Sequence, residues 1–177
     1  PPEQSRETEA LAAWTEGIAC LTRGKMTEAT QCFDHAAEIF RSLGQAEHAA
    51  QTQVPKIVAL SMLGQYDGAV ECAESAQREF VAHGDLRAAS KVSLNLGSLH
   101  QRRGAYAQAA RYSREAAVLF ARAGDHELSV MADIASLGDT IRPALFQKVT
   151  EERMRFAAHH DNLTQLSNRL MFRERLG

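Results

Sequence analysis

The chain repeats itself every 40 residues, and that periodicity constrains its fold more than any other feature. The segments GKMTEATQCFDHAAEIFRSLGQAE (24–47), GQYDGAVECAESAQREFVAHGDLR (64–87) and GAYAQAARYSREAAVLFARAGDHE (104–127) superimpose without gaps. Gly24, Gly64 and Gly104 align, as do Ala29, Ala69 and Ala109, then Ala36, Ala76 and Ala116. Phe40, Phe80 and Phe120 follow, then Gly44, Gly84 and Gly124. A fixed period of this length marks a unit that cannot bury its apolar face alone and must stack on its neighbours.

Each unit reads as two antiparallel helices. The Ala, Ala and Phe positions fall at i, i+7 and i+11, one stripe of a 3.6-residue helix, so a helix B begins near residues 27, 67 and 107. Small alanines let a neighbouring helix approach closely, and the phenylalanine fills the gap at the far end. The glycines stand where a helix ends in the left-handed conformation. A helix A precedes each helix B, over about 8–22, 47–62 and 87–102, with SLNLGSLHQRRG (93–104) the clearest case. Composition agrees: 4 prolines and 6% aromatics suit closely packed helices and not sheets.

Leu96, Gly97, Gly104, Tyr106, Ala109, Ala116 and Phe120 reproduce the tetratricopeptide pattern, and Gly17 holds the helix-A glycine place in the first copy. The chain therefore resembles the tetratricopeptide repeat over about residues 8–140. The resemblance implies an all-α, right-handed superhelix of antiparallel helix pairs, with three repeats, a partial fourth and a long linker or capping helix. The period departs from the family's roughly 34 residues, which predicts longer helices or longer turns, and the closing proline is missing. Pro55, inside helix A of the second copy, predicts a kink or a late helix start.

HELSVMADIASLGDTI (126–141) reads as a fourth helix A with Met131, Ile134 and Leu137 as its apolar face, and Pro143 is expected to interrupt it. The following stretch suits one further helix with Leu145, Val149 and Phe156 on one side. It could cap the array, which a solenoid needs for solubility, or pair with a second copy through residues 143–160.

From Asp161 the character changes. Asp161, Leu163, Thr164, Leu166, Asn168, Arg169 and Phe172 resemble the opening of the GGDEF domain of diguanylate cyclases, with Gln165 and Leu170 departing from the usual pattern. Three regions follow: an array over 1–141, a linker helix over 142–160 and the start of a GGDEF-like domain over 161–177. Without that resemblance, Ser167 or Asn168 would simply N-cap a terminal helix. The resemblance implies a bacterial regulatory module joined to a cyclase, with Asn168 matching a family position that contacts guanine. The family's Gly-Gly-Asp/Glu-Glu-Phe motif is absent from these 177 residues. The chain as it stands is therefore expected to be no enzyme and to need no cofactor. GTP and magnesium enter only with a complete domain.

Other classes are excluded or disfavoured. A formal net charge of −2 argues against a nucleic-acid binder. No run is apolar enough for a membrane span, and the polar opening PPEQSRETEA does not read as a signal peptide. Its missing Met points to a segment of a longer protein. Cys20, Cys32 and Cys72 form no CxxC pair and read as small buried residues in a reducing cytoplasm. His159, His160 and Asp161 are adjacent and point apart, so they make a poor metal site.

In tetratricopeptide arrays helix A lines the concave groove. That placement selects Leu11, Trp14, Ile18 and Leu21, then Val54, Val58 and Met62, then Lys91, Asn95, Ser98, Gln101 and Arg102, a groove apolar at one end and polar to basic at the other. Trp14, Ile18 and Val58 would serve equally to pack against a preceding helix. Asn95 carries one donor and one acceptor for a peptide backbone. Residues 1–141 hold 13 Lys and Arg against 18 Asp and Glu, and residues 142–177 hold 7 against 4, so the two parts carry opposite net charge. The expected function is peptide or protein binding that controls how two cyclase domains meet. The rival is a free-standing scaffold or adaptor.

Overall fold

The computed structural model describes residues 2–159. They form seven helices in chain order: α1 (Pro2–Thr22), α2 (Met26–Ser42), α3 (Ala46–Met62), α4 (Tyr66–Ala82), α5 (Leu86–Arg102), α6 (Tyr106–Arg122) and α7 (His126–His159). No strand occurs among the described residues. Each helix packs chiefly on the one before it and the one after it, so the molecule is an all-α, tetratricopeptide-like solenoid.

The 40-residue period is twice a 20-residue unit. Helices α2 to α6 are each 17 residues long, and three residues separate each from the next. The extra length over the usual repeat therefore lies in the helices. All six turns close alike. Gly24, Gly44, Gly64, Gly84, Gly104 and Gly124 take φ of 72–79°, a region that favours glycine. The next residue's N–H then reaches back to a carbonyl five residues earlier, as from Lys25 to Cys20 and from Asp125 to Phe120 at 2.9 Å.

The stripe that recurs in each repeat forms the core. Ala29, Ala69, Ala109, Ala36, Ala76, Ala116, Phe40, Phe80 and Phe120 are all buried. Facing positions on the two helices of a repeat trade volume. Gly17 faces Phe33 and Gly97 faces Ser113, whereas Ile57 shares a cluster with Ala73.

Pro55 brings no late helix start, and Pro143 does not interrupt its helix. Helix α3 starts at Ala46 and runs through Pro55, and α7 runs 34 residues through Pro143. A proline removes the hydrogen bond to the carbonyl four residues earlier. Pro55 lies next to the exposed positions of α3, and the α7 residues around Pro143 are exposed. Solvent near these positions can hydrate the released carbonyls, which lowers the cost without removing it. The apolar face assigned to 126–141 also needs correction: Met131, Ile134 and Leu137 are exposed. Helix α7 packs on α6 instead through Ala132 and Ser136, and the buried Asp139 meets Gln101 of α5. Ser136 Oγ donates to the Ala110 carbonyl at 3.0 Å.

Candidate functional site: the helix-A surface

Helices α1, α3 and α5 form a row, α1 touching α3 and α3 touching α5. The A helices thus approach one another along the row, as the inner wall of a curved stack does. On each, the residues not committed to packing recur with the 40-residue period. Leu11, Thr15, Ile18 and Thr22 are exposed on α1. Gln51, Pro55, Val58 and Met62 occupy the same places on α3, and Lys91, Asn95, Ser98 and Arg102 on α5.

Most of the residues selected from the sequence lie on this row. Leu11, Ile18, Val58, Met62, Lys91, Ser98 and Arg102 are exposed, and Asn95 is half-buried. Four sit off the row. Leu21 packs against the cluster of Cys20, Ala29, Phe33 and Ala59, and Val54 packs against the central cluster. Trp14 is half-buried against two clusters, and its indole nitrogen is buried with no acceptor among the described residues. Its ring holds the first repeat together. Gln101 is half-buried, and its amide nitrogen donates to Asp139 Oδ1 of α7 at 2.7 Å. That donor ties the last helix to the array. Asn168 and the GGDEF-like segment lie outside the described residues, and so does most of the His159–His160–Asp161 set.

The sequence reading missed Gln51 and Pro55. Since Pro55 has no N–H, the Gln51 carbonyl lacks its helical donor. An open backbone acceptor thus lies on α3, one repeat from the Asn95 amide on α5. The shared register of 15, 55 and 95 was the signal that would have found it.

Polar groups beneath this surface are closely paired. Lys56 bonds Asp34, and Gln77 Nε2 bonds Ser93 Oγ at 2.6 Å and Glu115 Oε1 at 3.0 Å. Cys72 Sγ donates to Gln53 Oε1 at 3.1 Å, and burial pushes its thiol up to about 11. Tyr112 stacks on His100, takes the Arg111 guanidinium over its ring at 4.5 Å and donates to Glu74 at 2.7 Å. Burial, then Arg103 and Arg111, hold His100 below its ordinary pKa, while burial and the Glu74 bond raise Tyr112. These are structural pairs within and between repeats, and none brings a nucleophile to a base in an open cleft.

A stack of helix pairs with one periodic exposed row defines a helical-repeat protein of the interaction-module class. The chain belongs to the soluble NSF attachment protein (SNAP) family, whose model matches residues 23–139. The match runs from the turn after α1 into α7 and does not reach residues 161–177. No curated protein matches the chain.

Proposed function

We propose that the chain binds a peptide or a protein segment along the helix-A row and passes that event on through α7. The observation that carries this reading is the row itself. It changes from apolar at Leu11, Ile18, Val58 and Met62 to polar and basic at Lys91, Asn95, Ser98 and Arg102. Such a gradient suits a segment with an apolar end and an acidic end. The family name, an attachment protein, supports a binding role. In this reading residues 1–141 are the array, 142–160 the linker helix, and 161–177 the start of a diguanylate cyclase domain. Binding would then adjust how two cyclase domains meet in the cytoplasm. No helix among the described residues is long and apolar enough to cross a membrane.

A peptide library with apolar residues followed by an acidic run, screened by fluorescence polarisation, tests the binding part. The parent should select such peptides, and Val58→Asp/Lys91→Glu should lose them. Equal binding by both proteins, or no binder at all, overturns the groove assignment. The coding sequence beyond Gly177 tests the cyclase part: a Gly-Gly-x-Glu-Phe motif supports it, and its absence removes it. Family membership favours a second reading, a free-standing adaptor whose α7 caps the array, which a stop codon after Gly177 would support.

A further inference from the structure

In each complete repeat, helix B covers one face of helix A. The positions that meet it are Ala10, Ala50 and Ser90, exposed by 0%, 3% and 0%, and, seven residues on, Ile57 at 2% with Gly17 and Gly97 buried. Their counterparts on α7 are Val130 at 58% and Leu137 at 61%. Helix α7 does not turn back after this point as α1, α3 and α5 do. It continues to His159, so the fourth repeat has a helix A with a socket for a helix B and no helix B among the described residues. The socket is apolar: Val130, Ile134, Leu137 and Ile141 are all large and exposed. A solenoid end that always faced water would be polar there.

We propose that a second copy of this chain fills the socket, its α7 lying antiparallel to the first across a two-fold axis near Thr140. Of the two roles the sequence leaves open for residues 143–160, capping and pairing, this takes the pairing and fixes its surface and polarity. An antiparallel helix is what every other helix A in the array receives. Among the described residues no later helix of the same copy supplies it, because α7 is unbroken to His159. The second half of α7 carries Leu145, Phe146 and Val149 exposed, and Gly138, Ile141, Arg142, Leu145, Phe146 and Val149 line one shallow depression. Val130, Ile134, Gly138, Ile141, Leu145 and Val149 fall within an arc of about 100° on the helix. A two-fold near Thr140 sets Gly138 against Ile141, Ile134 against Leu145, and Val130 against Val149. Gly138 has open space where a Cβ would stand, a notch for the facing isoleucine.

Charge selects the same polarity. Residues 126–141 carry Glu127, Asp133 and Asp139 and no Lys or Arg. Residues 142–159 carry Arg142, Lys148, Arg153 and Arg155 against Glu151 and Glu152. Asp139 is buried and bonded to Gln101, so the exposed acids of the first half are Glu127 and Asp133. An antiparallel pair lays this net acidic half on the net basic half of the other copy, although the register also sets Glu127 against Glu152. A parallel pair lays like on like. About 30 residues of helix, roughly 45 Å, lie in contact, a length suited to the roughly 1,200–2,000 Å² of a standard interface. The two C-terminal ends then emerge roughly 60 Å apart. In the cyclase reading, that arrangement keeps two catalytic halves from meeting.

Sedimentation equilibrium of the whole 177-residue chain and its variants tests the pairing. The parent should dimerise. Ile134→Glu and Leu145→Lys should each weaken it at least about tenfold, roughly 1.4 kcal/mol. Both sites are exposed, so melting curves should stay like the parent's. Ile134→Gln serves as the milder variant if Ile134→Glu melts early. The double variant Ile134→Glu/Leu145→Lys should recover most of the affinity, because each new carboxylate faces a new ammonium on the other copy. A monomeric parent overturns both this inference and the linker pairing. A dimer that ignores Ile134→Glu or Ile134→Gln, or a double variant weaker than either single one, overturns the antiparallel socket and leaves a parallel pairing through 143–160 standing.

Discussion

A Cβ on Gly17 would stand 2.6 Å from Cε1 of the Phe33 ring. Helices α1 and α2 can meet only because residue 17 has no side chain, and Phe33, fully buried, occupies the space. Gly17→Ala should therefore cost ~1–3 kcal/mol through overpacking, although alanine is the better helix former. At Gly97 the nearest atom is the Ser113 Oγ, at 3.1 Å. A hydroxyl can rotate aside, so Gly97→Ala should cost less than Gly17→Ala. Urea unfolding of the two variants checks the order, and equal stability of Gly17→Ala and the parent would refute the close approach.

The Gln101–Asp139 bond replaces an apolar contact. Two repeats earlier the same two places are held by Leu21 and Ala59, which pack in one cluster. Asp139 is only 4% exposed. Gln101→Ala should leave that acceptor buried and unpaired, at ~1–3 kcal/mol. The double variant Gln101→Leu/Asp139→Ala should regain much of the loss by restoring the contact of the first repeat. A double-mutant cycle in urea reads the coupling, and additive losses would show that the bond does not pin α7.

Cys72 should be a silent thiol. It is buried, donates to Gln53 and is pushed from 9.0 to about 11, chiefly by burial. A thiol reagent at pH 8 should label the partly exposed Cys32, itself raised by burial and then Glu16, faster than Cys72, which should react only on unfolding. The raised value also sets a pH dependence. Its stabilising contribution is complete below 9.0, where both states hold the proton, and is lost as pH rises from 9.0 towards 11. Cys72→Ala should flatten that part of the stability profile. An unchanged slope would place the alkaline loss elsewhere.

What could be read in the sequence was whatever the period repeats. Glycine, alanine and phenylalanine recur because every turn and every close approach needs the same shape, so helix ends came out within a residue or two over 26–122. Position-specific features were not legible. Met131, Ile134 and Leu137 mark an amphipathic face, but hydrophobicity alone does not tell a packed face from an open one. The face that packs uses Ala132, Ser136 and Asp139, whose burial depends on partners in α5 and α6. The bond of Gln101 to Asp139 was hidden for the same reason. Proline was read by its local penalty alone, without regard to where the released carbonyl would point.

That released carbonyl supplies the last prediction. Pro55 sits in mid-helix, where proline is worse than alanine by ~3 kcal/mol in a helix interior, yet α3 keeps it on the row proposed to bind ligand. Pro55→Ala should restore the bond to the Gln51 carbonyl and stabilise the chain by ~1–3 kcal/mol. The same change closes the acceptor that lies one repeat from Asn95. Binding of a peptide recovered in the screen should therefore fall as stability rises, and Asn95→Ala should weaken the same peptide without stabilising the chain. Polarisation and urea unfolding on one set of samples separate the two effects. A stabilised Pro55→Ala protein that binds as tightly as the parent would show that the Gln51 carbonyl plays no part in recognition.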